Sequence, residues 1–303
     1  MALLHFNENG IYCEKADVYI DPWRPVKRAL ITHGHADHSR YGHKHYMATE
    51  NAAPVIRHRL GNDISLQTVQ YGEKVNINGV SFSFHPAGHI PGSAQIRVDD
   101  GSEVWVVSGD YKTEDDGLSE AFEPVRCDVF ITECTFGLPV YRWRPQREVF
   151  REINNWWRKN AAEGKTSILT AYALGKAQRI LKGVDTDIGP IYTHGAVENV
   201  NEVIRQQGYV LPPTRYVEVK GKKDDFKGAL VIAPPSAIGS SWIRKFKPYS
   251  VAMASGWMAL RGTRRRRAAD RGFVLSDHAD WDGLNLAVSE TGARKVITTH
   301  GYT

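Results

Sequence analysis

The sequence predicts an α/β protein with two parts: a strand-rich first part, and a parallel α/β unit inserted into it or appended to it. Short apolar runs separated by Gly, Asn and Asp turns dominate the chain to about residue 140. From about residue 145, apolar strands alternate with segments of helical periodicity. Such alternation is typical of a parallel sheet covered by helices.

The first part contains four short runs with strand character, at residues 75–77, 80–84, 95–98 and 104–107. Gly, Asn and Asp turn residues separate these runs. This spacing therefore favours a largely antiparallel or mixed sheet.

The second part begins with a predicted helix at 145–159, in which apolar residues recur at helical spacing until Gly164 ends the pattern. After this helix we predict two strand–helix pairs and then three further buried strands. The predicted strand–helix pairs are 167–170 with 176–181 and 191–193 with 197–207, and the later strands are 229–232, 250–254 and 273–275.

The composition is that of an ordinary globular protein, with 42% hydrophobic and 24% charged residues among 303. Residues 1–15 lack the basic start, apolar stretch and cleavage site of a signal peptide, and no later run is long enough to cross a membrane. We therefore expect a cytoplasmic protein. Cys13, Cys127 and Cys134 are an odd set without a Cys-x-x-Cys pair, which predicts reduced, buried thiols.

A net charge of +5 and a pI near 9.0 are compatible with a polyanionic partner. Basic residues also cluster in one stretch in which Asp270 is the only acid. They are Arg244, Lys245, Lys247, Arg261, Arg264, Arg265, Arg266, Arg267 and Arg271. A solvated face is the ordinary interpretation of such a run. Phosphate binding is the alternative, favoured here because the run leads directly to His278.

Residues 32–38, Thr-His-Gly-His-Ala-Asp-His, place three imidazoles and a carboxylate directly after the apolar run 29–31. Imidazole nitrogen and carboxylate oxygen suit zinc and similar ions. His33 and His35 are two apart, so in extended chain they point to the same side and can share one ion. A turn through Ala36 lets Asp37 and His38 face a second ion.

Further polar residues stand immediately after apolar strands, where a rigid sheet holds a side chain at an open edge. Asp110 and Glu133 follow two such strands, residues 276–280 follow a third, and His300 follows a fourth. Singly, Asp110 or Glu133 also fits a strand-ending turn. His89, in the glycine-rich bend 87–93, is predicted as the third ligand of the first ion.

These motifs resemble a known family. His33, His35, Asp37 and His38, followed by His89 and Asp110, are similar to the metal motif of the metallo-β-lactamase fold. Glu133 and residues 276–280 and 299–301 resemble its β-CASP nuclease branch. Essentially the whole chain resembles the bacterial DNA-ligase-associated exonucleases, most clearly at residues 32–39, 254–257 and 275–281.

The resemblance implies a metallo-β-lactamase αββα sandwich with an inserted β-CASP α/β cap domain. The implied boundaries are 1–140 for the first part of the sandwich, 141–265 for the insertion and 266–303 for the returning segment. In the family a helix follows the position of His300, so the resemblance implies a returning segment that is incomplete at its C-terminal end.

The resemblance also implies two divalent metal ions, zinc foremost and manganese as the alternative. His33, His35 and His89 would hold one ion, Asp37, His38 and His300 the other, and Asp110 would bridge both. Asp21 would orient the ligand loop, although an Asp before Pro also initiates turns. His278 is the expected general acid and Glu133 or Asp280 would orient its imidazole, which makes the predicted catalytic residues His278, Asp37, Glu133 and Asp280.

Together these expectations describe a DNA exonuclease of DNA repair that hydrolyses phosphodiester bonds from a 5′-phosphate end, in functional association with a DNA ligase. Phosphate contacts are expected from Thr135, Lys176, Ser255, Gly256, Arg264 and Arg265. A β-CASP ribonuclease is the main alternative, because His300 is kept in RNA-processing members. A thioester or lactam hydrolase leaves His278 without a role, and a non-catalytic nucleic-acid-binding protein has no need of a water-activating ion pair.

Overall fold

A computed structural model of the chain describes residues 2–217, 226–260 and 269–301. The chain forms two compact units: unit 1 runs to Pro139 and resumes at His278, and unit 2 is Val140–Asp277. The second boundary therefore lies further along the chain than the expected position 265. The reason is that strand β17 (Arg271–Phe273) pairs with β16 (Tyr249–Ala254) in the sheet of unit 2.

Unit 1 contains two six-stranded sheets. The first has the strand order β1 to β6, antiparallel from β1 to β3 and parallel from β3 to β6. Its strands are β1 (His5–Asn7), β2 (Gly10–Cys13), β3 (Val18–Ile20), β4 (Arg28–Leu30), β5 (His45–Thr49) and β6 (Leu66–Val69).

The second sheet of unit 1 has the order β18-β11-β10-β9-β8-β7. Its antiparallel part, β7 to β10, confirms the antiparallel or mixed sheet predicted for this region, while β11 pairs in parallel with both β10 and β18. The strands are β7 (Val75–Ile77), β8 (Val80–Pro86), β9 (Ala94–Asp99), β10 (Val104–Val107), β11 (Val129–Glu133) and β18 (Lys295–Thr299).

The core of unit 1 lies between these sheets, and a helix covers the outer face of each. Leu30 of β4 and Phe82 of β8 lie in the inter-sheet core. Ala29 and Ile31, which point to the opposite face of the first sheet, pack with Ile56 of helix α1 (Ala53–Leu60). Unit 1 is thus an α/β/β/α sandwich, because the second sheet packs in the same way against a helix at Trp281–Thr291.

Unit 2 contains one parallel sheet of order β14-β13-β15-β12-β16-β17. Its remaining strands are β12 (Thr166–Thr170), β13 (Ile191–Thr193), β14 (Arg215–Tyr216) and β15 (Leu230–Ala233). Among the described residues of unit 2 the α-helices are α2 (Gln146–Ala162), α3 (Lys176–Gly183) and α4 (Gly195–Gln206). The helix at Trp281–Thr291 in unit 1 is α5.

The structure confirms an α/β chain with several sheets and the strand–helix alternation of unit 2. The helix predicted at 145–159 is α2, and its apolar side packs through Ile153 and Trp157 on the sheet. The strand predicted at 273–275 is displaced, since β17 ends at Phe273. In the part of the chain that the structure describes, no helix combines the length and apolarity needed to span a bilayer.

Candidate metal centre

The segment after β4 carries the first two imidazoles of the centre. Ile31 still pairs with β5, since its N–H donates to the carbonyl of Met47 over 2.8 Å, so the chain enters the site from a rigid sheet. His33 is fully buried and its Nε2 lies 3.1 Å from Nδ1 of His35. The N–H of His38 donates to the carbonyl of His35 over 3.2 Å, and this turn brings His38 back beside His33.

His89 and Asp110 reach the same point from the second sheet. The loop after β8 is closed by Ser93, whose Oγ accepts the backbone N–H of His89 over 3.1 Å. Nε2 of His89 lies 3.0 Å from Nδ1 of His35 and 3.7 Å from Oδ2 of Asp110. Donor atoms of His33, His35, His89 and Asp110 all lie within 4.8 Å of one another, which makes this group capable of holding a metal ion.

The set expected for a second ion is assembled less tightly. Nε2 of His38 lies 3.4 Å from Oδ1 of Asp110 and 3.8 Å from Oδ2 of the exposed Asp37. The rings of His38 and His300 stack with centroids 5.1 Å apart. His38, His300 and Asp37 line one cavity of about 300 Å³ in unit 1. The structure therefore brings these three residues and Asp110 together around an open space.

Asp21, at the end of β3, is the hydrogen-bond anchor of the ligand segment. One of its oxygens accepts the N–H of Thr32 over 2.8 Å, and the other lies 2.7 Å from Nδ1 of His38. Because a carboxylate accepts, His38 donates its Nδ1 proton to Asp21, and Nε2 is the nitrogen left for a metal ion. That Nε2 is buried and makes no hydrogen bond to any described residue. A buried polar atom left in this way suits a metal ion.

The electrostatics of the centre favour positive charge beside Asp110. Burial, together with neighbouring His38, lowers the pKa of His33 well below its ordinary value, so this imidazole is neutral. Burial alone would lower the pKa of His38, but Asp110 and Asp21 outweigh it and raise that pKa well above its ordinary value. Burial alone would raise the pKa of Asp110, but neighbouring His38 and His278 outweigh burial and hold that pKa well below its ordinary value. An ionised carboxylate among imidazoles is the charge pattern of a cation site.

A second group capable of metal or proton chemistry adjoins the first. Nδ1 of His278 lies 2.9 Å from each carboxylate oxygen of Glu133, the last residue of β11. Glu133 is itself held by the N–H of Tyr111, which donates to Oε1 over 2.9 Å. Nε2 of His278 lies 4.0 Å from Oδ2 of Asp110. Donor atoms of Asp110, Glu133 and His278 all lie within 4.8 Å of one another.

The structure places two further expected residues. Asp280 caps helix α5, because its Oδ1 accepts the N–H of Gly283 over 2.8 Å, and Glu133, the other carboxylate expected to orient His278, lies 2.9 Å from Nδ1 of that imidazole. Lys176, expected to supply charge to a phosphate, is buried in unit 2, with its Nζ 3.3 Å from Oδ2 of Asp277. Its charge is therefore already compensated.

The remaining expected phosphate contacts are divided between the two units. Thr135, in unit 1, directs its N–H to Oε2 of Glu133 over 3.4 Å. Ser255, in unit 2, accepts the N–H of Trp257 at the start of a short 3₁₀ helix, Gly256–Ala259. Arg264 and Arg265 lie outside the described residues.

Sequence reasoning missed residues that position the ligands. Thr32 hydrogen-bonds to Asp21 through both its N–H and its hydroxyl, and so joins the two ends of adjacent strands. Arg59 of α1 donates through one NH1 to the carbonyl of Gly34 over 2.8 Å and to the hydroxyl of Ser39 over 2.6 Å. A basic residue in the last turn of a helix is ordinary, so the local pattern held no signal for Arg59.

No protein-family model matches the chain. A protein named probable DNA ligase, from Opitutus terrae, is 28% identical over 296 residues, which are 97% of this chain and 29% of that protein. Endoribonuclease YSH1 of Yarrowia lipolytica is 31% identical over 122 residues, 40% of this chain and 14% of that protein. Ribonuclease TTHA0252 of Thermus thermophilus is 32% identical over 131 residues, 43% of this chain and 28% of that protein.

The chain thus spans less than a third of the length of each of these relatives. A solved structure of a protein of unknown function from Enterococcus faecalis V583 is similar with a TM-score of 0.63, over 90% of this chain and 75% of that one, at 9% identity. That likeness concerns the fold alone. The named relatives support the general resemblance to nucleases of the metallo-β-lactamase and β-CASP type, and they do not single out the DNA-ligase-associated exonucleases.

Proposed function

We propose that the chain is a dinuclear metal-dependent exonuclease that hydrolyses phosphodiester bonds from the 5′-phosphate end of DNA, in DNA repair. One observation carries the proposal. The carboxylate of Asp110 lies 3.4 to 4.0 Å from an imidazole nitrogen of each of four histidines: His33, His38, His89 and His278. A buried carboxylate surrounded in this way is the arrangement expected of a bridging ligand with a proton donor beside it.

In this proposal His33, His35 and His89 would hold one ion, Asp37, His38 and His300 would hold the other, and Asp110 would be a ligand of both. The chemistry that two divalent ions, zinc or manganese, would supply is a hydroxide at neutral pH and stabilisation of negative charge on a phosphodiester. The chain's own contribution is to present neutral imidazole nitrogens and one ionised carboxylate in a fixed geometry. Asp21 contributes by holding the proton of His38 on Nδ1.

His278 is the proposed general acid. Its Nδ1 is bound to Glu133, so Nε2 is the atom that faces Asp110 and is able to give a proton to a leaving oxygen. Glu133 fixes the ring and stabilises its protonated form. The side chain of His278 is 21% exposed, which leaves the proton accessible to a substrate.

Substrate recognition is proposed on weaker contacts. The hydroxyl of Thr135, the hydroxyl of Ser255 and the amide of Gly256 remain candidates for binding phosphate. The inserted segment 141–265 is proposed to provide further contacts to the strand, with basic residues such as Arg264 and Arg265 supplying charge.

DNA is the favoured substrate because the probable DNA ligase of Opitutus terrae aligns with 97% of this chain. This alignment also supports a functional association with a DNA ligase. A ribonuclease is the second candidate, supported by the relatives named as ribonucleases, which align with 40% and 43% of the chain.

The test compares a 5′-phosphorylated DNA strand with an RNA strand of the same sequence, across zinc and manganese titrations, with Asp110→Ala as the control. We expect shortening of the DNA from its 5′ end. Asp110→Ala should lose on the order of a thousandfold in rate, because metal activation contributes several kcal/mol. It should keep salt-dependent DNA binding, which depends on basic residues. Intact DNA with folded, metal-loaded protein would refute the proposal, and digestion of RNA alone would favour the ribonuclease.

A further inference from the structure

Tyr172 is an exposed aromatic residue that follows a buried strand of unit 2. All five residues of β12 are buried, yet Tyr172, two positions after the strand ends, is 60% exposed. Single exposed aromatic rings are common on protein surfaces. The position of Tyr172 in the sheet, and the contacts that hold its ring, are what distinguish it.

Tyr172 lies at the point where the connections of the sheet diverge. β12 has β15 on one side and β16 on the other. From β12 the chain passes through α3 to β13, on the β15 side, whereas from neighbouring β16 it passes to β17, on the side away from β12. Neighbouring strands whose connections leave in opposite directions form the switch point of a parallel sheet, and ligands bind outside the carboxyl ends of the strands there.

The ring of Tyr172 is held in place by a buried cation. Nζ of Lys176 lies 5.1 Å from the centroid of the ring. Lys176 is itself fixed, because it is buried and its Nζ lies 3.3 Å from Oδ2 of Asp277. The backbone carbonyl of Tyr172 accepts the N–H of Ala177 over 3.1 Å. A ring held in this way loses little freedom when a second ring stacks on it.

We propose that Tyr172 stacks on a nucleobase of the bound strand and so positions the substrate, an inference that rests on the proposed nuclease function. Every base has a flat aromatic face, so one exposed ring binds a strand irrespective of its sequence. Because Lys176 is buried, its contact with the ring leaves the water-exposed surface of Tyr172 available to the base.

The experiment uses the full chain as wild type, Tyr172→Ala and Tyr172→Phe. Tyr216→Ala is the matched control, because Tyr216 is 52% exposed but lies in the edge strand β14. The probe is a 5′-phosphorylated single strand with 2-aminopurine at one position at a time, whose fluorescence falls when the base stacks. Tyr172→Ala should raise KM about five- to 100-fold, leave kcat unchanged and abolish quenching at one position. Tyr172→Phe should behave as wild type.

An unchanged KM and unchanged quenching in Tyr172→Ala would overturn the inference. An equal loss in Tyr172→Phe would also overturn it, because the hydroxyl would then be the binding group. So would an equal loss in Tyr216→Ala, which would show a general surface effect. If a melting curve finds Tyr172→Ala unfolded, Tyr172→Leu replaces it, because leucine keeps much of the bulk without the aromatic face. Tyr172→Leu should then show the same rise in KM and the same loss of quenching. Wild-type quenching that depends on Tyr172 without any cleavage would refute the proposed function and leave the stacking inference standing.

Discussion

Two buried carboxylates at strand ends, Asp110 in unit 1 and Asp277 in unit 2, have opposite surroundings. Asp110 lies among imidazoles, and Nε2 of neighbouring His38 makes no hydrogen bond to a described residue. Asp277 lies among basic side chains: Nζ of Lys176 at 3.3 Å and NH1 of Arg179 at 3.4 Å. The group of side chains around Asp110 and the group around Asp277 both lie at the end of a strand. That position therefore does not by itself mark an active site.

The difference follows from the chemistry of the nitrogen groups. A neutral imidazole carries a lone pair and can bind a metal ion, whereas protonated Lys and Arg offer only donors. In unit 2 the donors of Arg179 are used, since they also reach the carbonyl of Ser276 and Oε1 of Gln146. The cluster around Asp277 therefore stabilises unit 2, while the one around Asp110 stays chemically open.

The largest effect expected beyond the metal ligands is at His278, the residue that follows Asp277 directly. His278→Ala should lower kcat on DNA by about 10²- to 10⁴-fold, the usual contribution of general acid catalysis. The loss should nearly vanish on a phosphodiester with a p-nitrophenolate leaving group, which departs without a proton. Steady-state rates on the two substrates measure this difference.

Glu133→Gln is the control for this prediction, because it keeps a hydrogen-bond acceptor near Nδ1 of His278 while removing the negative charge. It should show a smaller loss in the same substrate-dependent direction. An equal loss on both substrates would assign His278 to metal or phosphate binding instead of proton transfer.

Lys176→Met tests the other side of the comparison. Removing this ammonium takes away one of the basic groups that contact the buried Asp277 and leaves NH1 of Arg179 at 3.4 Å, so the free energy of unfolding should fall by about 3 kcal/mol. The salt dependence of DNA binding should not change, because the charge of Lys176 is compensated within unit 2. Denaturant melting and binding isotherms at several salt concentrations check both points.

Lys182→Met is a suitable control on the same helix, since Lys182 is in the last turn of α3. It should leave stability within about 0.5 kcal/mol of wild type. A shallower salt slope in Lys176→Met, without loss of stability, would return Lys176 to the phosphate-binding role that the sequence suggested.

The ligand motif was predictable because its signal is local. His33, His35 and His38 share one short turn, and their spacing alone indicates coordination chemistry. Ion pairs between residues that are distant in the sequence carry no such local signal. The pairing of Lys176 with Asp277 joins residues on separate elements, and nothing near either residue predicts it.

The first sheet of unit 1 shows the same limit for the fold. Strands β1, β3 and β4 have three residues each, too few for a period-two pattern to stand out from the surrounding turns. They are strands because their neighbours pair with them. Unit 2, by contrast, has longer buried strands and helices such as α2, with 17 residues, and its alternation was predictable.

The smallest expected effect is at Asp21, which touches the centre only through other residues. Asp21→Asn replaces one carboxylate oxygen with a donor, so the side chain can no longer accept from both Thr32 and Nδ1 of His38. The proton on His38 then loses its anchor, and Nε2 is no longer held as the lone pair. Affinity for metal should fall about 10- to 100-fold, measured by competition with a chelator.

Asp17→Asn is a matched control for this last prediction. Asp17 also has a positive φ, 53° against 44° for Asp21, but its carboxylate accepts from Tyr12 and not from a ligand residue. If Asp17→Asn weakens metal binding as much as Asp21→Asn, the effect arises from the loss of a carboxylate charge in unit 1 and not from the anchor on His38. The other outcome is that only Asp21→Asn weakens metal binding and that a metal titration shows the loss of one of two bound ions. His38 then belongs to a site separate from that of His33, and the group of ligands around Asp110 binds two ions.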